Sequence, residues 1–202
     1  MYRCNRHNLD YRQHLKNAAN QFQEHIKGHE DNLDMNAVWL MVNTCRDLGN
    51  SYLHNQQPKD AASWYAKGEH VHQLLPVDLS TAINYDALIA DLYARWGEAL
   101  RAEGQFAKAL SKCQQSLDRW QKLMVLHVDI PEYARDYAMT LGRVARVQMD
   151  MNDQITARKN LTKAKLVLSQ LVQTHPGQRE FQPPLEDILG LLHQLERYPL
   201  DR

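Results

Sequence analysis

The chain has 202 residues, of which 44% are hydrophobic, with 24 basic and 24 acidic residues and a formal net charge of zero. That much apolar material supports a folded core and excludes a disordered tail. Zero net charge argues against non-specific nucleic-acid binding and against an anionic membrane surface, both of which need a basic excess.

The first predicted element is a helix over 10–28, where Leu15, Ala18, Ala19, Phe22 and Ile26 recur at helical spacing. Three helix pairs follow, over 33–76, 80–126 and 131–174, and a lone closing helix over 184–197. In the second pair Ala90, Tyr93, Trp96, Gly97 and Leu100 make one helical face. Gly104 suits the C-cap of that helix, and Phe106, Ala109, Leu110, Cys113, Leu117 and Trp120 supply the stripe of its partner. Pro58, Pro131 and Pro184 stand near helix starts, where a missing N–H costs little. Leu185, Ile188, Leu189, Leu192 and Leu195 give the closing helix its apolar side. No segment alternates with the period of a strand, so an all-α chain is expected.

The pairs are copies of one unit. A shift of 48 residues superposes Gly49, Gly97 and Ala145, then Ala61, Ala109 and Ala157, then Leu75, Leu123 and Leu171. Gln56, Gly104 and Asn152 share a register, as do Tyr65, Cys113 and Leu161. Small residues recurring at fixed places predict helices that cross closely. The same shift matches His127 to His175, Tyr133 to Phe181 and Gly142 to Gly190, so the segment before the closing helix repeats the linker into the third pair. The two linker histidines read as capping or packing residues.

The string "YARWGEALRAEGQFAKALSKCQQSL", residues 93–117, resembles a tetratricopeptide repeat (TPR), with Tyr93, Trp96, Gly97, Leu100, Gly104, Phe106, Ala109, Cys113 and Ser116 in the family's places. Cys45, Leu48, Gly49, Tyr52, Ala61, Tyr65 and Gly68 match in the first unit. Leu141, Val144, Ala145, Gln148, Asn152, Ala157, Leu161 and Ala164 match in the third. The resemblance covers roughly 37–197. The usual unit is about 34 residues, whereas "HVDIPEYARDYA" resembles the 48-residue, long-helix variant of bacterial repeat proteins associated with serine/threonine kinases. It implies a right-handed α-solenoid of three TPR-like helix pairs with an extra helix at each end, in one domain over 1–202.

In that family the first helix of each unit lines a concave groove that receives a peptide or helix of a partner. Projection from Gly49, Gly97 and Ala145 then assigns the groove to Asn43, Arg46, Asn50 and His54, to Asp91, Arg95, Glu98 and Arg101, and to Met139, Arg143, Arg146 and Met149. The arginines suit an acidic motif or a C-terminal carboxylate, since guanidinium binds carboxylate bidentately. Of the five places that clamp a terminal carboxylate in co-chaperone members, Arg46, Asn50 and Arg143 match, while Arg95 and Met139 depart. The bland alternative is a polar surface tied by internal pairs such as Asp91 with Arg95.

The expected function is therefore protein–protein interaction, as an adaptor, scaffold or regulatory module. A sensor array linked to a serine/threonine kinase is the second reading, although the chain has no HRD, DFG or glycine-rich phosphate loop. A piece that self-associates through its end helices, as a homodimer, is the third. No enzyme is expected, because no GxSxG elbow or comparable constellation appears. No metal or other cofactor is expected either. His25 and His29 are four apart with Gly28 between them, and His70 and His72 point to different sides of a helix. Cys4, Cys45 and Cys113 form no CxxC pair, no apolar run is long enough to span a membrane, and the chain does not open with a leader. These features suit a cytoplasmic protein.

Overall fold

A computed structural model describes residues 2–26, 34–75 and 83–197. It contains α1 (Tyr2–Ile26), α2 (Met35–His54), α3 (Pro58–Gln73), α4 (Ile83–Ala102), α5 (Phe106–Leu126), α6 (Pro131–Asp150), α7 (Gln154–Thr174) and α8 (Gln182–Arg197), with a 3-10 turn at Arg179–Phe181 before α8. There is no strand among the described residues, and the fold is all-α, of the helical-repeat (α-solenoid) class. α1 begins at Tyr2, eight residues before the predicted start, because "YRCNRHNL" is helical without an apolar period to betray it. The chain divides into two compact units, Met1–Glu103 and Gly104–Arg202.

In the first unit α2 packs on α1, α3 and α4. Val38, Met41, Val42, Cys45, Leu48 and Tyr52 of α2 meet Ala61, Tyr65 and Val71 of α3 and Tyr85, Leu88, Ile89 and Leu92 of α4. The small residue Gly49 faces a large side chain. A Cβ on Gly49 would fall inside the Tyr65 ring, so the glycine makes room for an aromatic rather than for another small residue. The Tyr65 hydroxyl then runs on to donate to Asn50 Oδ1 at 2.7 Å. Gly68 works the same way, since a Cβ there would lie 2.7 Å from Leu92 Cδ1. Arg12 lies over the Tyr52 ring at 5.0 Å, and Ala19 is buried, which fastens α1.

In the second unit α6 packs on α5, α7 and α8. Ala157, Leu161, Ala164 and Leu168 of α7 are fully buried, and Tyr137, Ala138, Leu141, Val144 and Ala145 of α6 are buried with them. A Cβ on Gly142 would lie 2.7 Å from Ile188 Cδ1 of α8. Leu185, Ile188 and Leu195 are the buried side of α8. Leu189, predicted to join them, is 41% exposed.

Repeated turns produce the repeated shape. Gln56 (φ 58°), Gly104 (φ 74°) and Asn152 (φ 64°) are the left-handed residues that stop α2, α4 and α6. After α2, Gln57 N–H bonds to Tyr52 O at 3.0 Å, and after α6, Asp153 N–H bonds to Gln148 O at 2.8 Å. Those bonds satisfy carbonyls that a helix end otherwise leaves open. The linkers repeat as well. His127 and His175 cap α5 and α7 through N–H bonds of 2.9 Å to Leu123 O and Leu171 O. Their rings meet Tyr133 and Phe181 edge-on, with centroids 6.2 and 5.9 Å apart. The near-duplicate segments are thus one turn used twice, and both histidines cap and pack.

Candidate functional site

The candidate residues lie on α2 and α4 in the first unit and on α6 in the second. Every one of them except His54 is half-buried rather than outward. Within the units α2 packs on α1, α3 and α4, α4 on α2 and α3, and α6 on α5, α7 and α8.

On α2, the Arg46 guanidinium contacts Asp47 at 2.9 Å through Nη2 and Asp91 of α4 at 3.8 Å through Nη1. On α4, Arg95 Nε donates to Asp91 Oδ1 at 3.2 Å. The expected internal pair of Asp91 with Arg95 is present, and Asp47 and Arg46 extend it. Burial works against the Arg95 charge, but the charge and hydrogen bond of Asp91, with Glu98 and Tyr65, raise its pKa above the ordinary arginine value. Asn50 is engaged by Tyr65, so two of the three matched clamp residues, Arg46 and Asn50, are held by their own unit. Asn43 is half-buried on the same helix, and His54 is exposed at its end. Glu98 and Arg101 also take part in side-chain interactions.

On α6, Met139, Arg143, Arg146 and Met149 are all half-buried along one strip. One turn earlier Arg135 Nε donates to Asp136 at 2.8 Å. Burial opposes that guanidinium's charge too, but Asp136, Glu132 and Glu180 hold its pKa above the ordinary value. Arg143 takes part in further interactions as well.

Two structural residues, Tyr85 and Asp47, escaped the sequence reading, and a third, His72, is weighed there only as a metal ligand. Tyr85 stands one repeat step before Tyr133 and two before Phe181, and all three are buried. The 48-residue shift was the signal that could have found it. His72 of α3 replaces the linker histidine there, with Nδ1 3.0 Å from the Tyr85 hydroxyl. His70 is exposed, so the two histidines do point to different sides. Asp47 was visible only as the acid that stands where α4 and α6 carry Arg95 and Arg143.

His29 and the side chain of His25 lie outside the described residues, as does the side chain of Cys4. Among the described residues no group of three or more His, Cys, Asp or Glu side chains could hold a metal ion. Cys45 and Cys113 are buried and not joined in a disulfide. Burial pushes the Cys45 thiol up to about 12, with Lys67 pulling slightly the other way, so it is held neutral and not as a nucleophile. No helix among the described residues is long and apolar enough to cross a membrane.

No protein-family model matches the chain, and no curated protein matches it. Among solved structures it is similar to the one titled "Crystal structure of MamA", at 15% identity and a TM-score of 0.43, over 91% of this chain and 92% of that one. The helices and turns described above establish the fold without that likeness.

Proposed function

We propose that the chain is a non-enzymatic protein–protein interaction module of the tetratricopeptide type, in its long-helix form. The first helices, α2 and α4 in the first unit and α6 in the second, offer the surfaces that receive a peptide or helix of a partner. The observation that carries this reading is the half-burial of nearly every polar candidate along those surfaces. Polar groups already ordered and partly desolvated lose less on binding than exposed, mobile ones would. The second helices differ, as on α7, where Lys159, Lys163 and Lys165 are exposed. Buried cysteines at 45 and 113 that form no disulfide suit a reducing cytoplasm.

The test is capture from the source cell's lysate, with bound proteins identified by mass spectrometry. The wild type is compared with Asn43→Lys/Met139→Lys and with Lys159→Glu/Leu166→Ser, each checked for native helicity. A partner lost from the first variant and kept by the second supports the reading. A partner kept by the first and lost from the second overturns it.

A further inference from the structure

We propose that the outward side of α7 rests on an anionic phospholipid surface, with Ile155 and Leu166 entering the interface and Arg158, Lys159, Lys163 and Lys165 meeting the lipid phosphates. This goes beyond the interaction-module reading and leaves the first helices to a protein partner.

The even balance of charge over the whole chain conceals a local excess. Between Gln154 and Thr174, α7 carries those four cations and no Asp or Glu. Asp153 stands just before it, with its side chain taken by the Thr156 N–H at 3.1 Å. Two of the cations touch neutral groups, which leaves their charge in place. Arg158 Nη2 donates to the Leu195 carbonyl at 3.2 Å, and Lys163 Nζ lies 5.1 Å from the centre of the Tyr137 ring.

Helical geometry sorts these residues. Ala157, Leu161, Ala164 and Leu168 are the buried stripe. Ile155 and Leu166 stand on the opposite side, 61% and 69% exposed, about three turns or 16 Å apart along the axis. At a rotation of about 100° per residue, Lys159 shares that crest, Lys163 flanks it on one side, and Arg158 and Lys165 flank it on the other.

Apolar tips on a crest, with long cations on both flanks, suit a helix lying against a membrane interface. The tips reach the boundary of the acyl chains while the flanking charges stay at the phosphates. Three of the four cations are lysines, compact point charges that answer to a field of negative charge rather than to the fork of one carboxylate. α7 has no aromatic residue on which a base could stack, and its crest would set hydrocarbon against a nucleic-acid backbone. A crest also gives a peptide no groove to lie in.

The test is flotation of the full chain with vesicles of phosphatidylcholine, either alone or with about one quarter phosphatidylglycerol. The chain is expected to partition at least about tenfold more strongly to the anionic vesicles, and high salt should release it. Lys159→Gln/Lys165→Gln should lower that partition about 25-fold, about fivefold for each charge. Lys59→Gln/Arg179→Gln removes the same charge from exposed places elsewhere and should leave it within about twofold. Ile155→Ser/Leu166→Ser should weaken it without any change of charge. Each variant is checked for native helicity.

Equal partition to both kinds of vesicle, or none to the anionic ones, overturns the inference. So does an unchanged partition in either α7 variant, or an equal loss in the Lys59/Arg179 variant. Tighter binding of a duplex oligonucleotide or of polyglutamate than of the anionic vesicles overturns it in favour of a nucleic acid or an acidic protein.

Discussion

Within each unit two first-type helices meet along a lateral seam, α2 with α4 and α6 with α8, and these seams are built from opposite chemistry. In the first unit α2 meets α4 through Arg46, which reaches Asp91 beside Arg95. Two repeat steps later Gly142 occupies the place of Arg46, and it leaves space into which Ile188 of α8 projects. One seam is ionic and half-exposed, and the other is apolar and close. The backbone is copied with care, through left-handed turns at Gln56, Gly104 and Asn152 and buried aromatics at Tyr85, Tyr133 and Phe181. Side chains at the seams vary within that frame, so a repeat constrains shape and leaves recognition chemistry to differ from unit to unit.

The strongest way to break this comparison is to fill both glycines. Gly49→Ala drives a methyl into the Tyr65 ring, which is anchored by its hydroxyl, and should cost about 1–3 kcal/mol in urea unfolding. Gly142→Ala meets only the flexible end of Ile188 and gains up to about 1 kcal/mol of helix propensity, so its net effect should be near zero. Equal losses would mean that the two close approaches are not different in kind.

Alkali sharpens the picture of the first unit's core. The Cys45 thiol ionises at its ordinary 9.0 when unfolded and at about 12 in the native chain, so folding favours the neutral form. Its contribution is complete below the unfolded value and is lost as pH rises from there toward the native value. The slope is at most about 1.4 kcal/mol per pH unit, and Cys45→Ala should flatten the decline seen in denaturant midpoints above that value.

The ionic seam itself should be weak. A double-mutant cycle of Arg46→Gln and Asp91→Asn is expected to give a coupling of about 0.2–1 kcal/mol, reduced by added salt, because both groups are partly exposed. A coupling indifferent to salt would contradict the exposed geometry. Smallest of all, Gln56→Gly should stabilise by about 0.5 kcal/mol, as glycine relieves the left-handed conformation yet frees the unfolded chain. Asn152→Gly should gain less, since asparagine tolerates that region better.

Much of the fold was readable because the repeat writes its turns in residue types. Gly104 marked a helix stop, and the shift of 48 carried that meaning to Gln56 and Asn152, which neither would have announced alone. The start of α1 was not readable, since it depends on a polar stretch continuing a helix already nucleated further along. Nor was the exposure of Leu189, because a five-leucine-type stripe on α8 allows more than one rotation and the contact of Ile188 with Gly142 selects one. At the candidate site, projection placed the residues on α2, α4 and α6 but not the partners they find within the chain. Whether Arg46 reaches a ligand or Asp91 depends on the distance between α2 and α4, which no spacing within either helix encodes.

The central claim is that the strips of the first helices, and not the outward faces of the second, meet the partner. It is tested most directly by placing a photo-cross-linking amino acid at Met139 or at Leu166 and irradiating each chain in the source cell's lysate. Leu166 is 69% exposed on α7, so it is the fairer of the two places for chance collisions. The account expects a discrete cross-linked product from the chain labelled at position 139, and only diffuse background from the chain labelled at 166. A discrete product from 166 alone would contradict it and move the binding surface to the second helices.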